Sequence, residues 1–297
     1  MLFPGRSLKR FFALRGGGHE RGWPKIETHC FRESVAQVID MLEMGASVKP
    51  IVLGNRLPKS LLRAPDHPSV ILGYHKIGPR PSAGVNRSNY VDAVQLHGQV
   101  QQISGAGWQA ATLDSVADPA PGGGRLFAVT FDDGYASVCE QGLPVLSEYG
   151  IKALVYLVAG QIGGSNFWDQ AAGDISQPLM CASQVRAWLS EGHSIGSHTL
   201  SHAALTQIPE GEARRELVES KERLEQRFSV PVNHFCFPYG DHNAVVCDLV
   251  REAGYASAVT VEQRPISPND SRLALPRWMV YTHPVPWLAN LRARWGI

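Results

Sequence analysis

From Ser69 onward, short apolar runs alternate with amphipathic stretches, and this alternation constrains the fold more than any other feature of the chain. Residues 70–75, 127–131, 152–158, 193–197, 234–237 and 256–261 read as strands, being short, apolar and bounded by turn formers. Between them, residues 90–105, 138–149, 183–191, 210–228 and 244–254 place apolar side chains at helical spacing, and several of these stretches run into a glycine. Repeated strand-helix alternation predicts a parallel sheet covered by helices, either open or closed into a barrel. In both architectures the chemistry belongs at the C-terminal ends of the strands.

The polar motifs fall at those ends. Asp132, Asp133 and Gly134 follow the strand that stops at Phe131; His198 follows the 193–197 strand and stands four residues before His202; Pro238-Tyr239-Gly240-Asp241 follows the strand stopping at Phe237. Each motif alone is weak, because Asp and Gly are ordinary turn formers and two histidines four apart also suit a solvated helix face. Together they converge on one rim. One carboxylate plus two imidazoles can hold a divalent metal with room for water, and the second carboxylate can then act as a base. The residue types therefore point to a metal-dependent hydrolase.

Composition narrows the alternatives. The 297 residues are 44% hydrophobic, enough for a full-sized core in one large α/β domain or a domain with an extension. With 28 basic and 27 acidic residues the formal charge is +1, so no global field draws the chain to nucleic acid. Cys30, Cys139, Cys181, Cys236 and Cys247 are an odd number with no C-x-x-C pair, against both a disulfide framework and a cysteine zinc site. Arg6, Lys9 and Arg10 precede an apolar piece, residues 11–14, too short for a signal-peptide core, and the longest apolar run, 153–159, is far below the roughly 20 residues of a membrane helix. A soluble, cytoplasmic protein is the expectation.

Residues 1–66 differ from the rest. Gly16 to Gly18 and Pro24 break the start, residues 29–44 carry one amphipathic helix pattern, and a second apolar piece, 51–53, precedes Pro58, Pro65 and Pro68. We read 1–66 as a partly helical N-terminal extension and 67–297 as the main domain. At the other end, residues 287–295 mix tryptophan with arginine, the pattern of a helix capping the sheet or of a peripheral membrane contact.

The motifs resemble those of the NodB-homology polysaccharide deacetylases, carbohydrate esterase family 4. Thr130-Phe131-Asp132-Asp133-Gly134 resembles the first motif, His198-Thr199-Leu200-Ser201-His202 the second, and Phe235-Cys236-Phe237-Pro238-Tyr239-Gly240 the third in its Tyr-Pro-Tyr-Gly form. Weaker similarities run from Leu72-Gly73-Tyr74-His75 to Leu275-Pro276-Arg277-Trp278, so the likeness covers residues 69–283.

The resemblance implies a deformed (β/α) barrel and N-deacetylation of amino sugars. Asp133, His198 and His202 would bind the metal, with zinc the default and cobalt, nickel or manganese also tolerated. Asp132 would be the general base, and the backbone N–H of Tyr239 would donate to the oxyanion. Relatives carry an arginine in the third motif, where this chain has Cys236 or Phe237; Arg277 is the candidate substitute. His283 is the candidate general acid, although it lacks the leucine of the family's late motif. Trp278 resembles the aromatic wall of the acetyl pocket, with a core tryptophan as the alternative reading. Pro238, Trp168 and His75 complete the candidate substrate side. The substrate implied is an N-acetylated glycan or a lipid-linked amino sugar of a bacterial surface or exopolysaccharide pathway. The competing readings are hydrolysis of a small amide or ureide on the same fold, and a glycan-binding protein without catalysis.

Overall fold

The computed structural model describes residues 57, 69–119, 124–170 and 172–281. The helix expected over residues 29–44, the piece 51–53, His283 and the stretch 287–295 lie outside the described residues.

Among the described residues there are ten strands: β1 (Ser69–Tyr74), β2 (Lys76–Ile77), β3 (Tyr90–Val91), β4 (Gln109–Ala110), β5 (Leu126–Phe131), β6 (Leu154–Leu157), β7 (Ser194–Ser197), β8 (His234–Cys236), β9 (Ser257–Val259) and β10 (Trp278–Met279). The α-helices are α1 (Ala93–Gly105), α2 (Leu113–Ala117), α3 (Leu143–Glu148), α4 (Phe167–Gln170), α5 (Ala182–Ser190), α6 (Glu210–Phe228) and α7 (Ala244–Glu252). Eight strands form one parallel sheet in the order β10-β1-β5-β6-β7-β8-β9, with β4 beside the start of β5. The fold is thus the parallel α/β architecture that the alternation predicts. One segment ties the sheet's two ends: Leu275 bridges Val259 of β9, and Trp278 and Met279 pair with Leu72 and Gly73 of β1. The sheet curls accordingly into a deformed barrel.

Burial on both faces explains the unbroken apolar strands, every residue of β1 being buried. Alternation then sorts side chains between two cores. Phe127, Val129 and Phe131 face the larger core under the helices, whereas Ala128 joins Ile71, Leu154, Tyr156 and Cys236 in the smaller core within the curve. Thr130 and Asp132 continue the inner face of β5, so the sheet's own period aims Asp132 inward.

Two elements differ from the sequence reading for local reasons. Tyr90 and Val91 pair with β2 instead of opening a helix, because Asp92 forms a capping box with Gln95 and starts α1 at Ala93. Residues 138–149 split into a π turn, Val138–Gly142, and α3, since Pro144 has no N–H to continue an α-helical ladder. No helix among the described residues is long and apolar enough to cross a membrane.

Candidate active site

The rim is built from strand ends. Asp132 extends β5 and its N–H donates to the carbonyl of Tyr74 at 2.8 Å, continuing the pairing with β1. Asp133 then takes a left-handed backbone (φ 69°), which redirects its side chain out of the strand's alternation. Gly134 is also left-handed (φ 77°), and a Cβ there would sit 2.6 Å from Leu157 Cδ2, so both backbone and space demand glycine.

The histidines arrive from the end of β7. His198 Nε2 lies 3.3 Å and His202 Nε2 3.2 Å from the same oxygen, Asp133 Oδ1. Their other ring nitrogens are occupied: His198 Nδ1 lies 2.8 Å from the Cys236 carbonyl and His202 Nδ1 3.1 Å from the Tyr239 hydroxyl. With an ion bound, a proton on His198 Nδ1, donated to that carbonyl, would leave the Nε2 lone pair free to ligate it. All three residues are buried. Tetrahedral ligands at zinc-like bond lengths stand about 3.3 Å apart, so these separations and donor types fit a divalent ion. Left-handed, non-glycine backbone gathers here, at Asp133, Thr199, His202 and Tyr239; Ser229 is the other described case. Such strain persists where surrounding contacts fix it.

Asp132 has different neighbours. Arg277 Nη1 donates to Oδ1 at 2.6 Å and Nη2 to Oδ2 at 2.8 Å. The remaining Arg277 bonds go to the Thr260 carbonyl (2.9 Å), Thr130 Oγ1 (3.2 Å) and Cys236 Sγ (3.1 Å). Burial pushes the Asp132 carboxyl up, but the Arg277 charge and hydrogen bonds outweigh it and hold the group below the usual carboxylate range. For Asp133 burial also opposes ionisation, and hydrogen bonds from His198 and His202 prevail. The small Cys236 thiol stands directly beside the guanidinium that arrives from the start of β10.

His75 follows β1, with Nε2 4.0 Å from Asp132 Oδ2 and its ring stacked on Tyr281. Its buried Nδ1 has no hydrogen-bond partner. Pro238 and Tyr239 occupy a tight turn after β8, and the Tyr239 ring meets His202 edge-on at 4.7 Å. Trp168 does not stand open as a sugar wall: it is buried and stacks face to face on His202, centroids 4.4 Å apart. Trp278 is half-buried. Alternation along β10 aims Arg277 inward and Trp278 the other way, where it packs against the larger core.

One positioning group was missed from the sequence. Glu216 of α6 is buried and accepts hydrogen bonds from the N–H groups of Leu200 and Ser201 and from the Ser201 hydroxyl. Its signal was a charged residue on the helical stripe shared by Ala213, Leu217, Ser220 and Leu224.

Comparison with known proteins agrees with this geometry. Residues 120–258 match the polysaccharide deacetylase family model. YxkH of Bacillus subtilis, whose name also refers to polysaccharide deacetylases, is 26% identical over 208 residues, covering 70% of this chain and 69% of YxkH. The poly-beta-1,6-N-acetyl-D-glucosamine N-deacetylase of Staphylococcus aureus is 24% identical over 159 residues, 52% of this chain and 54% of that enzyme, so the chain spans about half of that relative's length. A polysaccharide deacetylase from Bacillus cereus shares the fold with a TM-score of 0.61 at 20% identity, covering 75% of this chain and 68% of that one. IcaB from Ammonifex degensii does so with a TM-score of 0.63 at 22% identity, covering 75% and 94%. The matched family model spans all three rim motifs: residues 120–258, which hold Asp132, Asp133, His198, His202 and Tyr239, match the polysaccharide deacetylase family.

Proposed function

We propose that the chain hydrolyses N-acetyl groups from the amino sugars of a poly- or oligosaccharide, with residues 67–297 as the catalytic domain. The observation that carries this reading is a buried carboxylate, Asp132, locked by Arg277 beside a separate donor set of Asp133, His198 and His202. One group is arranged to stay ionised and accept a proton, the other to hold a cation.

A divalent ion held by Asp133, His198 and His202, zinc by default, would supply Lewis acidity at the attacking water and the acyl oxygen. Asp132 takes the proton of that water, and Arg277 fixes the orientation and charge of the base throughout. The backbone N–H of Tyr239 donates to the oxyanion that develops as the carbonyl is attacked. Expulsion of the amine requires a proton, because an amide anion is too poor a leaving group at neutral pH. His75 delivers it in this reading: its Nε2 is near Asp132, and the side chain remains 16% exposed toward the rim. His283 is the other candidate donor.

The substrate class follows from the relatives: the staphylococcal enzyme is named for poly-N-acetylglucosamine, and a polymer or lipid-linked oligomer of N-acetylhexosamine is the corresponding proposal here. Acetate release from N-acetylglucosamine oligomers by zinc-loaded protein tests it. Faster turnover of small amides or ureides than of oligomers would move the assignment to small-molecule C–N hydrolysis. Tight oligomer binding without acetate release would leave a glycan-binding protein.

A further inference from the structure

The segment between the two candidate metal-binding histidines is held on both sides by groups outside it. Its carbonyls at Thr199 and Leu200 accept from the N–H groups of Ala159 (3.0 Å) and Gly160 (2.8 Å). A Cβ at Gly160 would sit 2.6 Å from the Leu200 oxygen, so this approach needs glycine. On the opposite side, Glu216 Oε2 accepts from Leu200 N–H at 2.8 Å and Ser201 N–H at 2.9 Å, and Oε1 accepts from Ser201 Oγ at 2.7 Å. Among the described residues no basic side chain forms an ion pair with Glu216, whose exposure is 4%. A buried carboxylate without a counter-ion is costly unless several donors converge on it, and all three donors come from Leu200 and Ser201, two of the three residues between His198 and His202.

The backbone needs such a hold. Thr199 (φ 66°) and His202 (φ 65°) are both left-handed, a conformation that costs a non-glycine residue about 1–2 kcal/mol. In an unrestrained chain these residues would relax toward right-handed or extended backbone, turning the imidazole of His202 away from Asp133.

We infer that Glu216 is a positioning residue of the metal centre: its carboxylate fixes the Leu200-Ser201 amides and thereby sets the separation and direction of His198 and His202 before any ion binds. The inference rests on the metal-site assignment above. Glu216 touches neither substrate nor ion and acts only through the loop. Glutamine is its conservative replacement, since the amide oxygen can take both N–H groups while the amide NH2 donates to Ser201 Oγ, which rotates to accept.

The test is zinc and cobalt binding to metal-stripped full-length protein, by calorimetry and by the visible absorption of bound cobalt, at a temperature where every variant is folded. Glu216→Ala should weaken affinity about 10- to 100-fold and alter the cobalt band, the range found for residues that orient metal ligands. Glu216→Gln should restore affinity to within about threefold of the unsubstituted protein. Ser201→Ala, which removes one donor, should fall between them. Leu217→Ala, one residue along α6 in the core, provides the control: it should lower the melting temperature at least as much as Glu216→Ala while leaving affinity and spectrum unchanged. The inference is overturned if Glu216→Ala binds as tightly as the unsubstituted protein, or if affinity in Leu217→Ala falls in step with its stability. If the unsubstituted protein binds neither ion, the metal-site assignment fails and this inference with it.

Discussion

Arg277 and Asp132 lie 145 residues apart in sequence and form a two-pronged ion pair sealed from solvent, with Nη1 and Nη2 on the two carboxylate oxygens at 2.6 and 2.8 Å. Removing one partner leaves the other charge buried alone. Arg277→Ala is expected to lower unfolding free energy by about 3–5 kcal/mol in chemical denaturation. It should also reduce kcat about 100-fold or more, and Arg277→Lys should recover little because an ammonium cannot engage both oxygens. A kcat for Arg277→Ala within tenfold of the unsubstituted enzyme would remove Arg277 from the mechanism.

The two adjacent aspartates should separate experimentally. Asp132→Asn is expected to keep its zinc while kcat falls about 10²- to 10⁴-fold. His198→Ala should lose the ion, and chelation of the unsubstituted protein should abolish activity until zinc is returned. Metal content and acetate release, measured on the same samples, decide the matter; zinc retained by His198→Ala at full stoichiometry would contradict the ligand assignment.

The two candidate proton donors make opposite predictions. With Nε2 4.0 Å from Asp132, His75 should be the sensitive position: His75→Gln is expected to lower kcat about 100-fold with a smaller change in KM. His283→Gln should change kcat less than threefold, within the scatter expected of a group outside the chemical step. The reverse pattern would assign the proton to His283.

Backbone geometry at Gly134 provides a stability test. Its φ of 77° and the 2.6 Å approach of Leu157 make Gly134→Ala unfavourable twice over. A loss of about 2 kcal/mol or more in thermal or chemical unfolding is expected, alongside lower metal occupancy through displacement of Asp133. An unchanged melting temperature would argue against this turn geometry.

His193 should make stability depend on pH away from the active site. Burial, with a smaller contribution from Lys152, lowers its pKa to about 4, and its Nδ1 accepts the Ala153 N–H at 3.0 Å. The unfolded chain titrates this group near 6.5 and so binds a proton that the folded chain refuses. Its contribution to stability is therefore intact above about pH 6.5 and declines as pH falls toward 4, by on the order of 1 kcal/mol at pH 5. Denaturation midpoints across pH 4.5–7.5 should show a shallower slope for His193→Gln; identical slopes would exclude His193 as a source.

Local sequence carried much of the fold because the information is periodic. Residues 126–131 and 69–74 are apolar but for Thr130 and Ser69, as a strand buried on both faces requires, and the stripe in residues 210–228 repeats with the helix. The boundaries that moved, at Tyr90 and in residues 138–149, were set by a capping box and a proline, whose effects compete with hydrophobic spacing. The same limit applies to the site. Asp132, Asp133, His198 and His202 stand in recognisable motifs because they cluster within five residues of the ends of β5 and β7. Trp168 and Trp278, by contrast, have environments that depend on neighbouring strands and on which face of an element they occupy.

By itself the sequence determined the alternating α/β plan, the strand ends where polar groups collect and the donor types gathered there, since each depends on residue identity and short-range spacing. Only the tertiary structure decided that Arg277 pairs with Asp132 through both carboxylate oxygens, that Glu216 accepts from the loop between the two histidines, and that Trp168 stacks on His202. Those relations arise where a curled sheet brings distant strand ends within hydrogen-bond reach. No local pattern records the register, crossing and curvature that set such distances.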